Sequence, residues 1–300
     1  MPSRPPSSLT YRTSGIVLRR TKLGETDLIV TLLTELPVQV RVVAKGARKP
    51  GARLAGVMGL GNEVDLLVRR GRSLDIVSEG QLLTSRAQAS EEFEREAMME
   101  AVLDVAAEVT VEGEHDARLL PLTSTALGAV MRAPTVLLPL VGAAYTLKAV
   151  SIQGYRPVLD ACVSCGRPVR LAGERTPDGA PRPEGAVPCT GEELAGELLP
   201  PGLVSVSFSD GGALCDDCSR DLRGTRYRRE ALSWASSLIR MRFTEVLALS
   251  PAPAMASLGH DTLSFARDWL AHYPGVHPRA LRFVLSLDYG QAHEAQSGRP

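Results

Sequence analysis

The chain has 300 residues, of which 44 % are hydrophobic and 23 % are charged, and its formal net charge is zero. This length favours two or three domains, and the composition is that of a soluble globular protein. The first ten residues lack the apolar segment of a secretory signal. The apolar stretch at residues 136–150 contains Pro139 and Lys148 and is too short and too polar to span a bilayer. We therefore expect a cytoplasmic protein with reduced thiols.

The two parts of the chain carry opposite net charge. Residues 1–80 contain thirteen Lys and Arg residues and seven Asp and Glu residues, a net charge of +6, so the remainder carries −6. Such asymmetry indicates that the first part faces a polyanion. Thirty of the thirty-four basic residues are Arg, which suits phosphate recognition but also fits a bias in genome composition.

After a lead-in at residues 1–9, short segments rich in Ile, Val, Leu and Thr and bounded by turn residues predict β-strands. These strands cover residues 11–21, 27–34, 38–44, 63–69 and 74–79. Five strands in about eighty residues, interrupted between the third and the fourth, are the layout of an OB-fold barrel. Small five-stranded barrels of other topologies would give the same pattern.

The chain then becomes helical. A helix is predicted to begin near Ser90, a plausible N-cap that precedes several glutamates. Two more helices are predicted at residues 117–132 and 136–153, and the second is apolar enough to form the buried centre of a helical domain. Beyond residue 218 the apolar periodicity again predicts helices, at residues 229–248, 262–273 and 278–288.

Four of the five cysteines form two C-x-x-C pairs, and Gly166 follows the first pair, where a left-handed backbone conformation is often needed. Each pair brings two thiolates within reach of one metal, which predicts a tetrahedral zinc site. The predicted ligands are Cys162, Cys165, Cys215 and Cys218. A disulfide framework and a redox-active pair are the alternatives, although both suit a long chain with five cysteines less well. Cys189 has no partner and is interpreted as inert.

The residues between the two cysteine pairs differ in composition from the rest. Residues 173–202 contain six prolines with many Gly, Glu and Ala, which predicts an exposed, mobile loop. Residues 203–209 alternate apolar and polar side chains and lead through a turn at residues 210–212 to Cys215. A strand that leads into a cysteine pair is typical of a zinc ribbon.

Basic residues are predicted to converge on one groove of the barrel. They lie at strand ends, in the loop after the third strand and in the turn after the fourth. These residues are Arg19, Arg20, Lys22, Arg41, Lys45, Arg48, Lys49, Arg53, Arg69, Arg70 and Arg72. An electropositive groove tracks a phosphate backbone, and Tyr11 is the only aromatic residue among the first eighty. Nucleic-acid binding would therefore be sequence-independent and strongly salt-dependent, the alternative being a merely soluble barrel surface.

No catalytic signature is present in the sequence. It lacks a phosphate-binding P-loop, a dinucleotide fingerprint, an H-E-x-x-H motif and a nucleophile elbow. Four of the five histidines, at positions 260, 272, 277 and 293, lie on or near predicted helix ends, where a capping or solvent-exposed role is expected. A four-thiolate zinc also has no open coordination position for activating water, so we expect a protein that is not an enzyme.

Several blocks of sequence, taken together, point to a known family. The first are YRTSGIVL at residues 11–18, GETD at 24–27, IVTL at 29–32 and AKGARK at 44–49. The later ones are GYRPVLD at residues 154–160, which leads into the first C-x-x-C pair, FS at 208–209 and GGALC at 211–215. The blocks lie in order over most of the chain, and their combination is far more specific than any one of them. In this combination they resemble the RecO family of bacterial recombination mediators.

The resemblance implies an α+β protein, with a five-stranded OB-fold barrel followed by an α-helical domain that contains a four-cysteine zinc element. The expected division is an OB-fold DNA-binding domain at residues 1–82, a helical domain in two parts at 83–160 and 221–300, and a zinc-binding element with its loop at 161–220. One structural zinc ion and a cytoplasmic, nucleoid-associated location are expected.

The resemblance also implies a function. Such a protein would bind single- and double-stranded DNA, anneal complementary strands, and help to load RecA, together with RecR, onto DNA covered by single-strand-binding protein. The acidic C-terminal tail of single-strand-binding protein is expected to dock on the helical domain, near Arg240 and Arg242. Two alternatives from other classes are a zinc-ribbon adaptor that binds only protein and a redox or metallo-enzyme.

Overall fold

The computed structural model describes residues 9–36, 38–110, 116–171, 202–221 and 224–289. The predictions for the lead-in before residue 9, for nearly all of the loop at 173–202 with Cys189, and for His293 lie outside the described residues. The chain divides into two compact units. The first is Met1–Arg132 with Pro278–Val284, and the second is Ala133–His277 with Leu285–Pro300.

Five strands open the first unit and form a closed barrel. They are β1 (Thr10–Leu23), β2 (Asp27–Thr34), β3 (Val40–Ala44), β4 (Glu63–Arg69) and β5 (Asp75–Thr84). Their order around the barrel is β1-β2-β3-β5-β4, with β3 and β5 parallel and the other neighbours antiparallel. This order confirms the predicted OB-fold barrel, and the short helix α1 (Arg53–Val57) fills the interruption between β3 and β4.

Apolar side chains at alternating strand positions fill the barrel. Val17, Val30 and Leu66 are among the fully buried members of this core, and Met58 closes it beside α1. The strands β1 and β2 come very close at Gly15, where a Cβ atom would lie 2.4 Å from the Leu33 carbonyl oxygen. Only glycine fits at that crossing.

Helices make up most of the remaining structure. They are α2 (Phe93–Val109), α3 (Leu119–Arg132), α4 (Leu138–Ile152), α5 (Cys218–Asp221), α6 (Arg229–Arg240), α7 (Phe243–Leu247), α8 (Pro253–His272) and α9 (Arg279–Val284). In the first unit α2 packs against β1, α3 and α9. Because α2 contacts three neighbours, it is buried on more than one side.

Two helix predictions were wrong in detail. Ser90 is not the N-cap of α2, because it lies in a 3₁₀ turn at Ala87–Glu91 and its hydroxyl donates to the Ala87 carbonyl. The predicted helix at residues 229–248 is two helices, α6 and α7, since the backbone is extended at Met241 and Arg242. The Glu245 carboxylate accepts a hydrogen bond from the Arg242 amide at 2.5 Å and so starts α7 as a new helix.

The second unit is built around α4, as its apolar sequence predicted. The segment Thr135–Ile152 is long and apolar enough to cross a membrane, with a mean hydropathy of 1.6, but 78 % of it is buried inside the protein. It packs against α6 and α8, and Gly259 lets α8 approach the Pro139 and Leu140 end of α4 closely. Lys148 bonds to the Ile239 carbonyl near the end of α6 at 2.7 Å.

A small sheet completes the second unit. Its strands are β6 (Leu203–Ser207), β7 (Gly212–Leu214) and β8 (Thr225–Arg228), in the order β7-β6-β8. Strands β6 and β7 confirm the predicted strand and turn, whereas the sequence did not predict β8. The sheet is joined to α8 by two hydrogen bonds: the Tyr273 hydroxyl donates to the Phe208 carbonyl at 2.6 Å and the Tyr227 hydroxyl to Asp268 at 2.7 Å.

Candidate nucleic-acid interface and metal centre

The two C-x-x-C pairs come together in the second unit. The ligand atoms of Cys162, Cys165, Cys215 and Cys218 all lie within 4.8 Å of one another, and the Sγ atoms of Cys165 and Cys215 are 3.7 Å apart. A tetrahedral zinc with metal–sulfur bonds of about 2.3 Å places its sulfur atoms about 3.8 Å apart. The four cysteines are therefore positioned to bind one metal ion, as predicted.

The local backbone explains how the first pair is shaped. Gly166 has a φ of +74°, which confirms the left-handed conformation expected there, and its amide donates to the Cys162 carbonyl at 2.8 Å. A hydrogen bond from the Arg167 backbone lowers the pKa of the Cys165 thiol to about 7, while burial raises the pKa of Cys215. A thiol with a lowered pKa supplies the thiolate that a metal requires.

An ion pair links the two cysteine pairs outside the thiol cluster. Arg167, which follows the first pair, lies 2.7 Å from Asp217 between the cysteines of the second. The contact links the two turns but, because both side chains are partly exposed, it contributes little energy.

In the barrel, the basic loop after β3 is tied to the turn between β1 and β2. Asp27 accepts hydrogen bonds from the Gly46 amide at 2.8 Å and from Thr26, and these bonds, with Lys45 and Lys49 nearby, lower its pKa. Arg48 donates to the Gly24 carbonyl at 3.0 Å. We call the four exposed cations of this region the turn cluster: Lys22, Lys45, Arg48 and Lys49.

A second group of cations lies in the turn between β4 and β5. We call Arg69, Arg70 and Arg72, all of them exposed, the hairpin cluster. The guanidinium of Arg70 lies 5.1 Å from the centre of the Tyr11 ring. The Tyr11 hydroxyl donates to Asp75 at 2.8 Å, and Asp75 also accepts from the Gly71 amide at 2.9 Å, which shapes the turn.

A groove of about 800 Å³ extends from the hairpin cluster to β3. Tyr11 and Arg70 line one part of it and Arg41 another. Arg41 is exposed on β3, in register with Thr31 of β2. In OB-folds the face of strands 2 and 3, together with the loops joining strands 1 to 2 and 4 to 5, binds oligonucleotides. Eight of the predicted cations therefore lie on this face or in the loops that flank it.

The other three predicted cations lie elsewhere in the first unit. Arg19 is bound by two carboxylates of α2, Asp104 at 2.7 Å and Glu108 at 2.5 Å. Arg20 and Arg19 line a separate cavity that also contains Glu100 and Asp104. Arg53 lines a cleft on β4 and β5 that also contains Arg12, Asp65 and Glu79, so its charge lies among carboxylates.

Sequence reasoning missed the acidic stripe that α2 presents to β1. Glu96, Glu100, Asp104 and Glu108 recur every four residues and so lie along one face of the helix. Burial, Glu96 and Asp104 raise the pKa of Glu100, and Arg20 opposes the rise. The four-residue spacing was visible in the sequence, but its position opposite Arg19 is a tertiary contact.

Comparison with known proteins adds the family context. The family models described as Recombination protein O N terminal and Recombination protein O C terminal match residues 8–86 and 90–204. A DNA repair protein RecO from Frankia casuarinae is 31 % identical over 251 residues, covering 80 % of this chain and 97 % of the relative. A DNA repair protein RecO from Roseiflexus is 30 % identical over 279 residues, covering 91 % and 84 %. One from Bifidobacterium adolescentis is 34 % identical over 167 residues, covering 54 % of this chain and 66 % of that relative.

Proposed function

The chain belongs to the RecO family of DNA repair proteins, and from that premise we propose that it is a non-enzymatic mediator that binds DNA and anneals complementary strands. Its ligands would be single- and double-stranded DNA, bound by the barrel in the domain at residues 1–82. The protein would act in the cytoplasm, in association with the nucleoid.

The observation that carries this proposal is the arrangement of unpaired cations around the β2–β3 face. Within the described residues, no member of the turn cluster or the hairpin cluster forms an ion pair with a carboxylate, and neither does Arg41. Free guanidinium and ammonium groups can exchange their counterions for DNA phosphates. We place Arg19, Arg20 and Arg53 at the edge of the footprint, because Arg19 is paired with Asp104 and Glu108, and Arg20 and Arg53 lie on β1 and α1, outside the β2–β3 face.

Phosphate contacts would dominate the binding. Tyr11 has Arg70 over its ring and its hydroxyl bound to Asp75, so it is poorly placed to stack on a base. Binding through phosphates is independent of sequence. A barrel that neutralises phosphates on two strands at once lowers their mutual repulsion, and complementary bases can then pair.

The second unit would serve structure and partners. We propose that the four cysteines hold one structural zinc ion, in an element at residues 161–220 inserted between the two parts of a helical domain at 83–160 and 221–300. Arg240 and Arg242 are exposed where α6 ends and α7 begins. This junction is our proposed dock for the acidic tail of single-strand-binding protein, and cooperation with RecR in loading RecA completes the proposal.

The test is a titration of a labelled single-stranded oligonucleotide over a salt series, paired with a strand-annealing assay. The variant K45Q/R48Q/K49Q removes three free cations and should lower the slope of log affinity against log salt by about 2, since each phosphate contact contributes about 0.7. Annealing should slow in parallel. The matched control R118Q/R132Q/R279Q removes the same charge from exposed positions of the first unit that do not line the groove.

Equal slopes for the variant, the control and the unmodified protein would contradict the proposed surface. Negligible binding by the unmodified protein at every salt concentration would instead favour the protein-binding adaptor.

A further inference from the structure

The four clustered cysteines differ in their exposure to solvent. Cys162 and Cys218 are buried, with 2 % and 7 % of their surface exposed. Cys165 and Cys215 are only partly buried, and each belongs to a different C-x-x-C pair. Oxidation of a thiolate follows its accessibility. A small oxidant dissolved in water therefore has direct access to one sulfur atom of each pair.

These two accessible sulfur atoms are also neighbours. The Sγ atoms of Cys165 and Cys215 are 3.7 Å apart, although the two residues are separated by 50 positions along the chain. The S–S bond of a disulfide is about 2.05 Å long, so the sulfur atoms have to approach each other by about 1.7 Å. The folded chain thus presents the accessible thiols as a pair.

Backbone hydrogen bonds hold the two cysteine-bearing segments side by side. The Val158 amide donates to the Gly211 carbonyl at 3.1 Å, and the Ala213 amide donates to the Val158 carbonyl at 2.8 Å. Closer to the cysteines, the Val163 amide donates to the Ala213 carbonyl at 3.0 Å. The proximity of the two accessible thiols is therefore built into the backbone of this region as well as into the thiol cluster.

We propose that Cys165 and Cys215 form an oxidation site, at which hydrogen peroxide joins the two C-x-x-C pairs through a disulfide. One thiolate attacks a peroxide oxygen, the O–O bond breaks, and the sulfur becomes a sulfenic acid while hydroxide leaves. The second thiolate attacks that sulfur, the S–O bond breaks, and the S–S bond forms as a second hydroxide leaves. Both hydroxides are protonated to water, and the two electrons lost by the sulfur atoms reduce the peroxide.

Formation of this disulfide would remove half of the metal ligands. Cys162 and Cys218 would remain, whereas a structural zinc site needs four protein ligands. The oxidised site should therefore release its metal. The oxidation site itself does not depend on the proposed DNA binding, and only the release of metal rests on the zinc ion proposed above.

The experiment uses the full chain with the single change C189S, because Cys189 lies outside the described residues and would add a fifth thiol. The zinc-loaded protein is treated with hydrogen peroxide, alkylated with N-ethylmaleimide and mapped by tandem mass spectrometry. We expect a disulfide between Cys165 and Cys215, with Cys162 and Cys218 alkylated. A zinc-sensitive dye should detect one metal ion released for each disulfide, and dithiothreitol with added zinc should restore all four thiols.

The same protein in guanidinium chloride with a chelator is the control. There the disulfides should form within each C-x-x-C pair, because short loops close more readily than a loop of 50 positions. A disulfide within either pair of the folded protein would overturn the proposal. So would four intact thiols under conditions that oxidise glutathione in the same solution. A disulfide between Cys165 and Cys215 in protein that binds no zinc would support the oxidation site and contradict the proposed metal.

Discussion

The barrel and the small sheet beside the four cysteines carry their basic residues on very different supports. The barrel closes on itself, and its core includes Val17, Val30, Leu32, Val64 and Leu66, all fully buried. The sheet beside the cysteines has strands of five, three and four residues. Sheets that small bury too little apolar surface to be stable alone. The barrel cations are therefore supported by a hydrophobic core, whereas Arg226 and Arg228 of β8 lie on a small sheet supported by its hydrogen bonds to α8 and by the neighbouring cysteine cluster.

Disrupting the metal site gives the largest expected difference between the two regions. The variant C162S/C215S should lose the metal and unfold β6, β7 and β8, because metal binding contributes about 10 kcal/mol to the folding of small zinc domains. Hydrogen exchange measured by mass spectrometry should show loss of protection in these strands, with protection in β1–β5 retained. Retained protection in β6–β8 would show that the anchors to α8 are sufficient, and loss of protection in the barrel would contradict its independence.

A cavity in the barrel core should produce the opposite pattern. Leu66 is fully buried among the barrel side chains, and L66A should destabilise the barrel by about 2–5 kcal/mol through lost burial and the cavity left behind. Chemical denaturation followed by hydrogen exchange should locate the change in β1–β5, while the bound metal, measured by atomic emission, stays at its original level. L67A is the matched control, since Leu67 is a neighbouring leucine that is only half-buried. A loss of metal in L66A would contradict the separation of the two regions.

The sequence predicted these two supports unequally well. Alternating apolar residues located all five barrel strands, and the C-x-x-C spacing identified the four cysteines that come together, since both signals are local. Strand β5 extends beyond its predicted end at residue 79 to Thr84, because it pairs with β4 as far as the partners Glu63 and Thr84. Strand β8 reads TRYR and has no apolar alternation. It forms a strand because it pairs with residues 203–206 of β6. Those residues lie about twenty positions earlier in the sequence, so no local pattern reveals the strand.

The candidate site shows the same limit. The sequence placed Arg19 with the other cations, but Arg19 is paired with carboxylates 85 and 89 positions away along the chain. Composition and strand position cannot reveal such a partner. The prediction agrees with the structure for cations that are held by a neighbouring turn. Arg48 is an example, since it contacts the β1–β2 turn through the Gly24 and Thr26 carbonyls.

Arg19 and Arg70 provide a direct test of this distinction. R70Q removes a free cation and should lower the salt slope for single-stranded DNA by about 0.7. R19Q removes a cation that Asp104 and Glu108 already neutralise, so it should leave the slope unchanged while reducing stability by about 1 kcal/mol. Anisotropy titrations and denaturant melts of both variants check the two expectations. A lower salt slope in R19Q would contradict this expectation and would mean that DNA phosphates replace Asp104 and Glu108 as the partners of Arg19.

The smallest expected effect concerns Tyr11, whose ring lies beside Arg70 of the hairpin cluster. Burial and the hydrogen bond to Asp75 raise the pKa of Tyr11 to about 12, above its ordinary value of 10.0. A raised pKa means that the stabilisation is complete below pH 10 and is lost as the pH rises through about 12. Y11F should therefore lower the free energy of unfolding by about 1 kcal/mol at neutral pH. It should also remove the loss of stability that ionisation of Tyr11 causes between about pH 10 and pH 12.

The Tyr11 titration itself can be followed by tyrosinate absorbance, with Y155F as the control for an exposed tyrosine of the second unit. An unchanged alkaline stability profile in Y11F would show that Asp75 holds the β4–β5 turn through the Gly71 amide alone. The hairpin cluster would then be shaped entirely by backbone contacts, as the turn cluster is shaped by the Gly46 amide bound to Asp27. In that case R70Q should lower the salt slope by the same amount in the unmodified protein and in Y11F, because the position of Arg70 would not depend on the Tyr11 hydroxyl.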